Sequence, residues 1–275
     1  MRNIVLIFVF SLLTFSCEGK NKTLNTPKKV KKITQNITTY DSLNPTIHIM
    51  VALCDNQYQG IVPVPAKIGN GQDPANNLYW GCAYGIKGFF NKSKEWKLLK
   101  TTKLNDTLME RLVFKHRLKN YYLIADAYNG KYIQHCTDLF LKSNAGQLKD
   151  TIHSDGKVLG INGNAKLLTY IGHDGLMDFT LENTYQNTDG KTRNCVILAC
   201  VSKRYFSPYI KTANANPLVW STNLMAPEAY IIHDAITGYI AEESPEKIRE
   251  QAALAYSKYQ KVSLKAAKNL LVTGF

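Results

Sequence analysis

The sequence predicts an α/β fold, in which helices cover both faces of a mostly parallel sheet and form a three-layer sandwich. Three observations support this prediction. Short, continuously apolar runs recur along residues 45–275, as strands that are buried on both faces require. Helical patterns separate these runs, which favours parallel strands joined by crossover helices. Hydrophobic residues make up 45% of the chain and charged residues 20%, a globular composition that excludes wholesale disorder.

The N-terminal residues predict export. A basic start at Arg2 and an apolar run over residues 4–13 are typical of a secretory signal peptide, here residues 1–16, and the run is too short to span a bilayer. Ser16 and Cys17 resemble the cleavage site of a bacterial lipoprotein, so Cys17 is expected to carry acyl chains such as palmitate. A plain signal peptide that is cut nearby is the alternative. The expected location is the bacterial cell envelope, with the protein anchored to a membrane and facing the periplasm or the cell surface.

Residues 17–44 are predicted to form a flexible tether, since they are rich in Asn, Thr and Lys and lack apolar periodicity. Residues 1–44 hold seven Lys and Arg against two acidic residues, a large share of the net charge of +13. Such a segment would lie against a membrane surface, gaining about 1 kcal/mol per basic residue. A solvated spacer is the alternative. No stripe of basic and aromatic residues accompanies the charge, so we expect no nucleic-acid partner.

Residues 45–275 are predicted to be a single α/β domain. Its first apolar run, residues 46–54, predicts a buried strand that ends at Asp55 and Asn56. A loop rich in Gly, Pro and Asn follows, and residues 78–90 then predict a helix that glycines interrupt. Further elements are predicted in alternation: a strand over residues 121–128, a helix over residues 131–143, and strands over residues 165–171, 195–200 and 217–222.

Three helix starts are predicted in the second half of the domain. Ser202 either assists Cys200 or begins a helix after the fourth strand, and the helix start is favoured. Thr222 or Asn223 is expected to cap a helix after the fifth strand. The last helix begins at Ser244, an N-cap followed by proline, and is predicted to run to about Leu271. Lysines along this helix predict one solvated face, formed by Lys258, Lys261, Lys265 and Lys268.

The number and spacing of the cysteines limit which disulfides and which metal sites the chain can form. Six cysteines are present, and five are left once Cys17 is assigned to lipid, so at least one thiol stays outside internal disulfides. A disulfide between Cys195 and Cys200 is one open alternative. The spacings form no zinc pattern, and the six histidines are scattered. We therefore expect neither a metal nor a cofactor.

The candidate site follows from the predicted sheet, because ligands of open α/β sheets bind at the carboxyl ends of the strands. His173 follows the third strand and Cys200 ends the fourth. A thiol and an imidazole at neighbouring strand ends can act as nucleophile and general base. Asp55, Asn56 and Ser221 end other strands and are candidates for substrate binding. Asp174 either orients His173 or caps the next turn, and the cap is favoured.

These residues resemble the caspase-like superfamily of cysteine peptidases, which includes legumains, gingipains and separases. The likeness lies in Gly172–His173 with Gly175, and in Ala199–Cys200 behind an apolar strand. It implies a caspase-like three-layer sandwich and hydrolysis of peptide or amide bonds in a peptide or protein substrate. Cys200 would be the nucleophile, His173 the base, and the turn with Gly172 and Gly175 would support the oxyanion.

Two further positions are candidates for substrate binding. Trp220–Ser221 resembles the strand that lines the specificity pocket in caspases. Glu228 either lies in the first turn of a helix, where its charge suits the helix dipole, or faces the crevice and binds a basic side chain of the substrate. A rival hypothesis is a non-catalytic lipoprotein of the cell envelope that binds a ligand or a protein on the same scaffold. An inactive relative that acts as an envelope scaffold is a third. The sequence predicts no oligomeric state.

Overall fold

The computed structural model describes residues 39–275. The predicted signal peptide, the lipidation of Cys17 and the tether up to residue 38 lie outside the described residues. The strands of the described part are β1 Thr46–Ala52, β2 Trp96–Lys103, β3 Leu108–His116, β4 Tyr122–Tyr128, β5 Lys149–Ser154, β6 Lys157–Asn162, β7 Leu167–Ile171, β8 Arg193–Leu198, β9 Ala215–Ser221 and β10 Leu271–Val272. The α-helices are α1 Ile86–Phe90, α2 Ile133–Asn144, α3 Ser202–Thr212, α4 Ala229–Ile240, α5 Pro245–Gln260 and α6 Leu264–Leu270.

Eight of these strands form one mixed sheet in the order β10-β9-β8-β7-β1-β4-β3-β2, while β5 and β6 form a separate hairpin. The five central strands β4, β1, β7, β8 and β9 are parallel, and the strands at both edges are antiparallel. The prediction of an α/β fold around a mostly parallel sheet is confirmed. The parallel arrangement brings the carboxyl ends of five strands to one edge of the sheet.

Helices cover both faces of this sheet. Along β1 every residue is buried, because alternate side chains enter two different cores. Ile47, Ile49 and Val51 pack into the core under α1, α4 and α5. Met50 and Ala52 pack into the core under α2 and α3. The apolar runs that lack alternation are therefore explained by burial on both faces.

The antiparallel edge was not anticipated by the sequence patterns. Strand β2 is an edge strand in which Lys97, Lys100 and Lys103 are exposed, and a register shift falls between Leu98 and Lys100. Exposed lysines and bulges protect a sheet edge from pairing with another chain. The same lysines remove the apolar run that marks the central strands, so no strand was predicted between residues 91 and 120.

Two predicted helices are shorter than expected. The predicted helix over residues 78–90 is wrong over its first eight residues, which form turns, and only α1 is helical. A Cβ at Gly81 would lie 2.0 Å from the Ala75 carbonyl oxygen, so the chain passes too close there for any other residue. The amide of Asn77 holds these turns against β1: its Nδ2 donates to the Cys54 carbonyl at 2.8 Å and its Oδ1 accepts from the Cys54 amide at 3.1 Å.

The predicted final helix is divided into α5 and α6. Lys261 ends α5 in the left-handed region, with φ of 59°, and the side chain of Ser263 caps α6 by accepting from the amide of Ala266. The four lysines therefore belong to two helices and the turn between them. The start of α4 is also later than predicted, since residues 222–228 form a loop and the helix begins at Ala229. Within residues 39–275, no helix combines the length and the apolar character needed to cross a bilayer.

Candidate active site at the carboxyl edge of the sheet

The two strands that precede His173 and Cys200 are parallel neighbours in the sheet. Ile171 of β7 pairs with Leu198 of β8, so His173 and Cys200 each lie two residues beyond the last pair. The amide of Gly172 continues the ladder by donating to the Leu198 carbonyl at 3.1 Å. The histidine and the cysteine thus follow equivalent positions at one edge of the sheet, at the ends of neighbouring parallel strands.

Gly172 allows the turn that carries His173. Its φ of 149° is a conformation that residues with a side chain rarely adopt, and a Cβ there would lie 2.6 Å from the carbonyl oxygen of Ala52. Any other residue would have to push β7 away from the end of β1. Gly172 therefore holds the histidine turn close against the neighbouring strand. Gly175 begins a short 3-10 turn two residues after His173.

The imidazole of His173 is bonded to a carboxylate that the sequence reasoning missed. Its Nε2 lies 2.6 Å from Oδ2 of Asp178, and the imidazole is only 6% exposed. The amide of Gly60 donates to the same carboxylate oxygen at 2.9 Å. Asp178 therefore joins the histidine turn to the loop that follows β1. An acidic residue five positions after the histidine was the only sequence signal, and nothing in the pattern distinguished it from Asp174.

The thiol of Cys200 is half-buried and lies against the loop over residues 222–228. The amide of Met225 donates to the sulfur at 3.4 Å, and the thiol contacts the Met225 carbonyl oxygen at 3.5 Å. Burial raises the pKa of Cys200, the Met225 amide opposes that shift, and the charge of Asp174 adds to it. The resting thiol is therefore protonated at neutral pH and needs a base to become nucleophilic. Across residues 39–275 the structure contains no hydrogen bond between Cys200 and His173.

Val201 gives the turn after Cys200 an unusual backbone. Its φ of 50° and ψ of 27° place a β-branched residue in the left-handed region, where it is a genuine outlier. Two serines hold this turn: the Ser202 amide donates to Oγ of Ser221 at 3.1 Å, and Oγ of Ser202 accepts from the Ser221 amide at 2.9 Å. Helix α3 begins at Ser202, as predicted. Strained backbone residues concentrate at functional sites, so the strain at Val201 makes the strand end at Cys200 a candidate functional site.

Replacing Val201 with glycine is expected to stabilise the protein. Relief of the left-handed strain outweighs the flexibility that glycine adds to the unfolded chain, so we expect a gain of about 0.5–1 kcal/mol in the free energy of unfolding. Urea denaturation measures this change. Lys203→Gly, two residues further along in α3, is the matched control and is expected to lose about 1 kcal/mol. A loss of stability in Val201→Gly would show that the valine side chain is needed for packing.

Asp174 is buried beside this site. Its Oδ1 accepts from the Leu176 amide at 3.0 Å, which confirms the predicted cap of the following turn. Its Oδ2 is buried without a hydrogen-bond partner. Burial raises the pKa of Asp174 to about 7, the cap opposes the shift and the charge of Asp178 adds to it. A carboxyl group that is half-ionised near neutral pH thus lies within electrostatic reach of the Cys200 thiol.

Asp55 and Asn56 are used by the loop that follows β1. Both carboxylate oxygens of Asp55 accept hydrogen bonds: Oδ1 from the amides of Gln57 and Tyr58, and Oδ2 from the amide of Gly71 and from the side chain of Gln72. The side chain of Asn56 exchanges two hydrogen bonds with the backbone of Val64. These bonds fold the loop over the carboxyl edge of the sheet.

Two of the remaining predicted site residues have internal partners. Trp220 is buried in the core under α2 and α3 and donates from Nε1 to the Gly274 carbonyl oxygen at 3.0 Å, whereas Cys200 packs against the opposite core. The hydroxyl of Ser221 is buried and donates to the Ala199 carbonyl oxygen.

Glu228 begins α4 without a side-chain cap, and its Oε2 accepts from the Tyr230 hydroxyl at 2.7 Å and from Nε2 of Gln260 at 3.0 Å. Burial raises the pKa of the Tyr79 and Tyr256 phenols, and both Cys200 and Glu228 add to that shift. Glu228 is therefore the predicted binding residue whose surroundings overlap those of the thiol.

Cysteines and metal ligands are dispersed in the described part of the chain. Its thiols are all free, including those of Cys195 and Cys200, so the alternative of a disulfide between these two is wrong. No group of three or more His, Cys, Asp or Glu residues within residues 39–275 could hold a metal ion.

Comparisons of the chain with protein-family models, with curated proteins and with solved structures give no match.

Proposed function

We propose that the chain is an exported, lipid-anchored cysteine hydrolase of caspase-like fold, which cleaves peptide or amide bonds with Cys200 and His173. The observation that carries this proposal is the pairing of β7 with β8, which brings a histidine turn and a cysteine to equivalent positions at the carboxyl edge of a parallel sheet. The left-handed turn at Val201 and the carboxylate bonded to His173 add independent support. The anchor would hold the domain at a membrane surface through residues 17–44.

The bond to Asp178 assigns a role to each nitrogen of His173. A carboxylate only accepts hydrogen bonds, so Nε2 carries the proton that Asp178 accepts, and Nδ1 is the basic nitrogen. In the proposed reaction Nδ1 takes the thiol proton and the Cys200 sulfur attacks the carbonyl carbon. The C–N bond then breaks, and the imidazolium returns the proton to the leaving amine. Water hydrolyses the thioester, and Asp178 stabilises the imidazolium in both steps.

Substrate binding has to displace the contacts between Cys200 and Met225, because they occupy the sulfur in the resting structure. The loop over residues 222–228 would move aside and expose both the thiol and its own backbone. The amide of Gly175, in the turn that Gly172 opens, would then donate to the oxyanion. Glu228 would favour a basic side chain next to the scissile bond, and Asp55 and Asn56 would shape the crevice through the loop that follows β1. Trp220 and Ser221 are buried and would support the strand end without touching the substrate.

Labelling with a thiol-directed acyl probe tests this proposal. The wild-type chain is expected to be acylated at Cys200, and labelling is expected to be lost in Cys200→Ala and to slow by about a hundredfold in His173→Ala, because a general base contributes at least that much. Cys82→Ala is the matched control, since Cys82 is the other thiol that is half-exposed in the described part of the chain, and it is expected to label as the wild type does.

The same experiment separates the rival function. The raised pKa of Cys200 and its contacts with Met225 favour a non-catalytic binding protein of the cell envelope, in which the thiol only packs the loop. That function predicts slow labelling at Cys200 that is unaffected by His173→Ala or Asp178→Asn. Equal labelling rates at Cys200 in these variants and in the wild type, with unchanged melting temperatures, would overturn the proposal of a hydrolase.

A further inference from the structure

A serine, an imidazole and a carboxylate lie together outside the strand ends, on the link between α1 and β2 and on the second turn of α4. We propose that Ser93, His233 and Asp234 form a serine nucleophile with its base and its orienting carboxylate, and that this site hydrolyses small carboxylic esters. The inference is independent of Cys200, since no residue is shared between the two sites.

The three side chains form a continuous chain of hydrogen bonds. Oγ of Ser93 lies 2.9 Å from Nε2 of His233, and Nδ1 of the same imidazole lies 2.9 Å from Oδ1 of Asp234. Both distances are within the range in which a nucleophile meets its base and the base meets its orienting group. The serine and the histidine are far apart in sequence, so only the packing of α4 against the α1–β2 link brings them together.

The carboxylate of Asp234 determines which atom donates and which accepts in each of these two hydrogen bonds. A carboxylate only accepts, so Nδ1 of the neutral imidazole carries the hydrogen and Nε2 carries the lone pair. The hydroxyl of Ser93 therefore donates to Nε2, which is the direction that a general base requires. The amide of Glu95 donates to Oγ of Ser93 at 3.1 Å and orients the hydroxyl while leaving it a free lone pair.

The surroundings hold the imidazole in place. The edges and faces of Phe89 and Phe90 pack against the ring with centroid distances of 5.4 Å, and the imidazole is only 12% exposed. Oε2 of Glu95 lies 3.8 Å from Nε2 and is fixed by a hydrogen bond from Thr237. An imidazolium formed during acyl transfer would thus be stabilised by two carboxylates.

The position of Ser93 indicates the class of substrate. The serine is half-exposed on a surface turn between two exposed residues, Lys92 and Lys94. An open surface selects for small, reactive esters rather than for long chains that need an enclosed cavity. A serine that merely capped the turn would need only the amide of Glu95 and no imidazole.

The proposed reaction needs only the ester and water. Oγ of Ser93 attacks the carbonyl carbon while its proton passes to Nε2 of His233. The ester C–O bond breaks, and the alcohol leaves with that proton. Water then attacks the acyl-serine and gives a proton to Nε2. The imidazolium returns this proton to Oγ of Ser93 as the bond from Oγ to the acyl carbon breaks, which releases the acid and the free serine.

A fluorophosphonate probe tests the site, because an activated serine displaces its fluoride and forms a stable phosphonate ester, while thiols at Cys200 are spared. The probe is expected to label the wild-type chain at Ser93, as mapped by peptide mass spectrometry, and to label Cys200→Ala equally. Labelling is expected to be lost in Ser93→Ala and to slow by about a hundredfold in His233→Gln. Ser257→Ala, which alters a half-buried serine of α5, is the control and is expected to keep full labelling.

The mapping on the wild-type chain decides the question even if a variant unfolds. Absence of labelling at Ser93 in the folded wild type would overturn the proposal, as would equal labelling rates in the wild type and in a folded His233→Gln variant. Asp234→Asn adds a readout that a merely structural role would not produce: it should slow labelling without lowering the melting temperature, since Asp234 is 45% exposed. Loss of Cys200 activity would leave all these outcomes unchanged.

Discussion

Replacing Asp126 with alanine is expected to lower the free energy of unfolding by about 3–5 kcal/mol, the largest effect that we expect from a single substitution. The carboxylate lies on β4 with no exposed surface and binds two partners. Nε2 of His48 on β1 lies 2.9 Å from its Oδ2, and Arg111 on β3 donates to both oxygens at 2.6 and 2.7 Å. The substitution would leave a partly buried guanidinium and a fully buried imidazole without their acceptor.

The network also fixes the proton on His48. The amide of Asn162 donates to its Nδ1 at 3.1 Å, so Nε2 carries the hydrogen that Asp126 accepts. Burial alone would raise the pKa of Asp126, but the bonds from Arg111 and His48 outweigh it and hold the pKa below its ordinary value. An acid whose pKa is lower in the folded state contributes stability above about pH 4, and this stability is lost as the pH falls.

Urea denaturation of Asp126→Ala at pH 7 measures the loss, and Asp106→Ala, which removes an exposed carboxylate, is the control with an expected change below about 0.5 kcal/mol. The difference between the wild type and Asp126→Ala is expected to shrink at pH 3, where the wild type loses the contribution of the ionised carboxylate. Equal stability of the two Asp variants at pH 7 would mean that water replaces the carboxylate in the network.

The central part of the sheet could be predicted because its signal is local. The strands β1, β4, β7, β8 and β9 are buried on both faces, so burial alone produces the apolar runs that identify them. The start of α3 at Ser202 and the cap formed by Asp174 likewise depend on chemistry within a few residues. The carboxyl edge, with His173 and Cys200 each two residues beyond the last pair of β7 and β8, follows from that sheet by the general rule for parallel strands.

The other features depend on contacts between distant residues, which periodicity does not record. His48 and Asp126 each interrupt an apolar run and look like isolated polar residues in the sequence. Their side chains are directly bonded in the structure, but 78 positions separate them along the chain, so no local pattern links them. Ser93 and His233 are 140 positions apart and carry no mark of their contact. The bond between Asp178 and His173 is local, but a second acid at Asp174 offered an equal candidate.

Asp174→Asn is expected to stabilise the protein by about 2–4 kcal/mol at pH 8 and by about 1–1.5 kcal/mol at pH 5. Burial raises the pKa of Asp174 to about 7 in the folded state, whereas the unfolded chain holds an ordinary carboxyl group. The folded protein therefore binds the proton more tightly, so its stability falls as the pH rises from about 4 to 7 and then stays constant. Asparagine keeps an acceptor for the Leu176 amide and carries no charge to bury.

Urea midpoints at pH 5 and pH 8 measure this difference, and groups that titrate elsewhere cancel because they are common to both proteins. Asp73→Asn is the matched control, since Asp73 accepts from the Ala75 amide in the same kind of turn without being buried. Removal of the Asp174 charge also removes a group that raises the pKa of Cys200, so the variant should react faster with iodoacetamide at pH 8 than the wild type does. A pH profile of stability that is the same in the wild type and in Asp174→Asn would show that Asp174 ionises normally and that its Oδ2 reaches solvent.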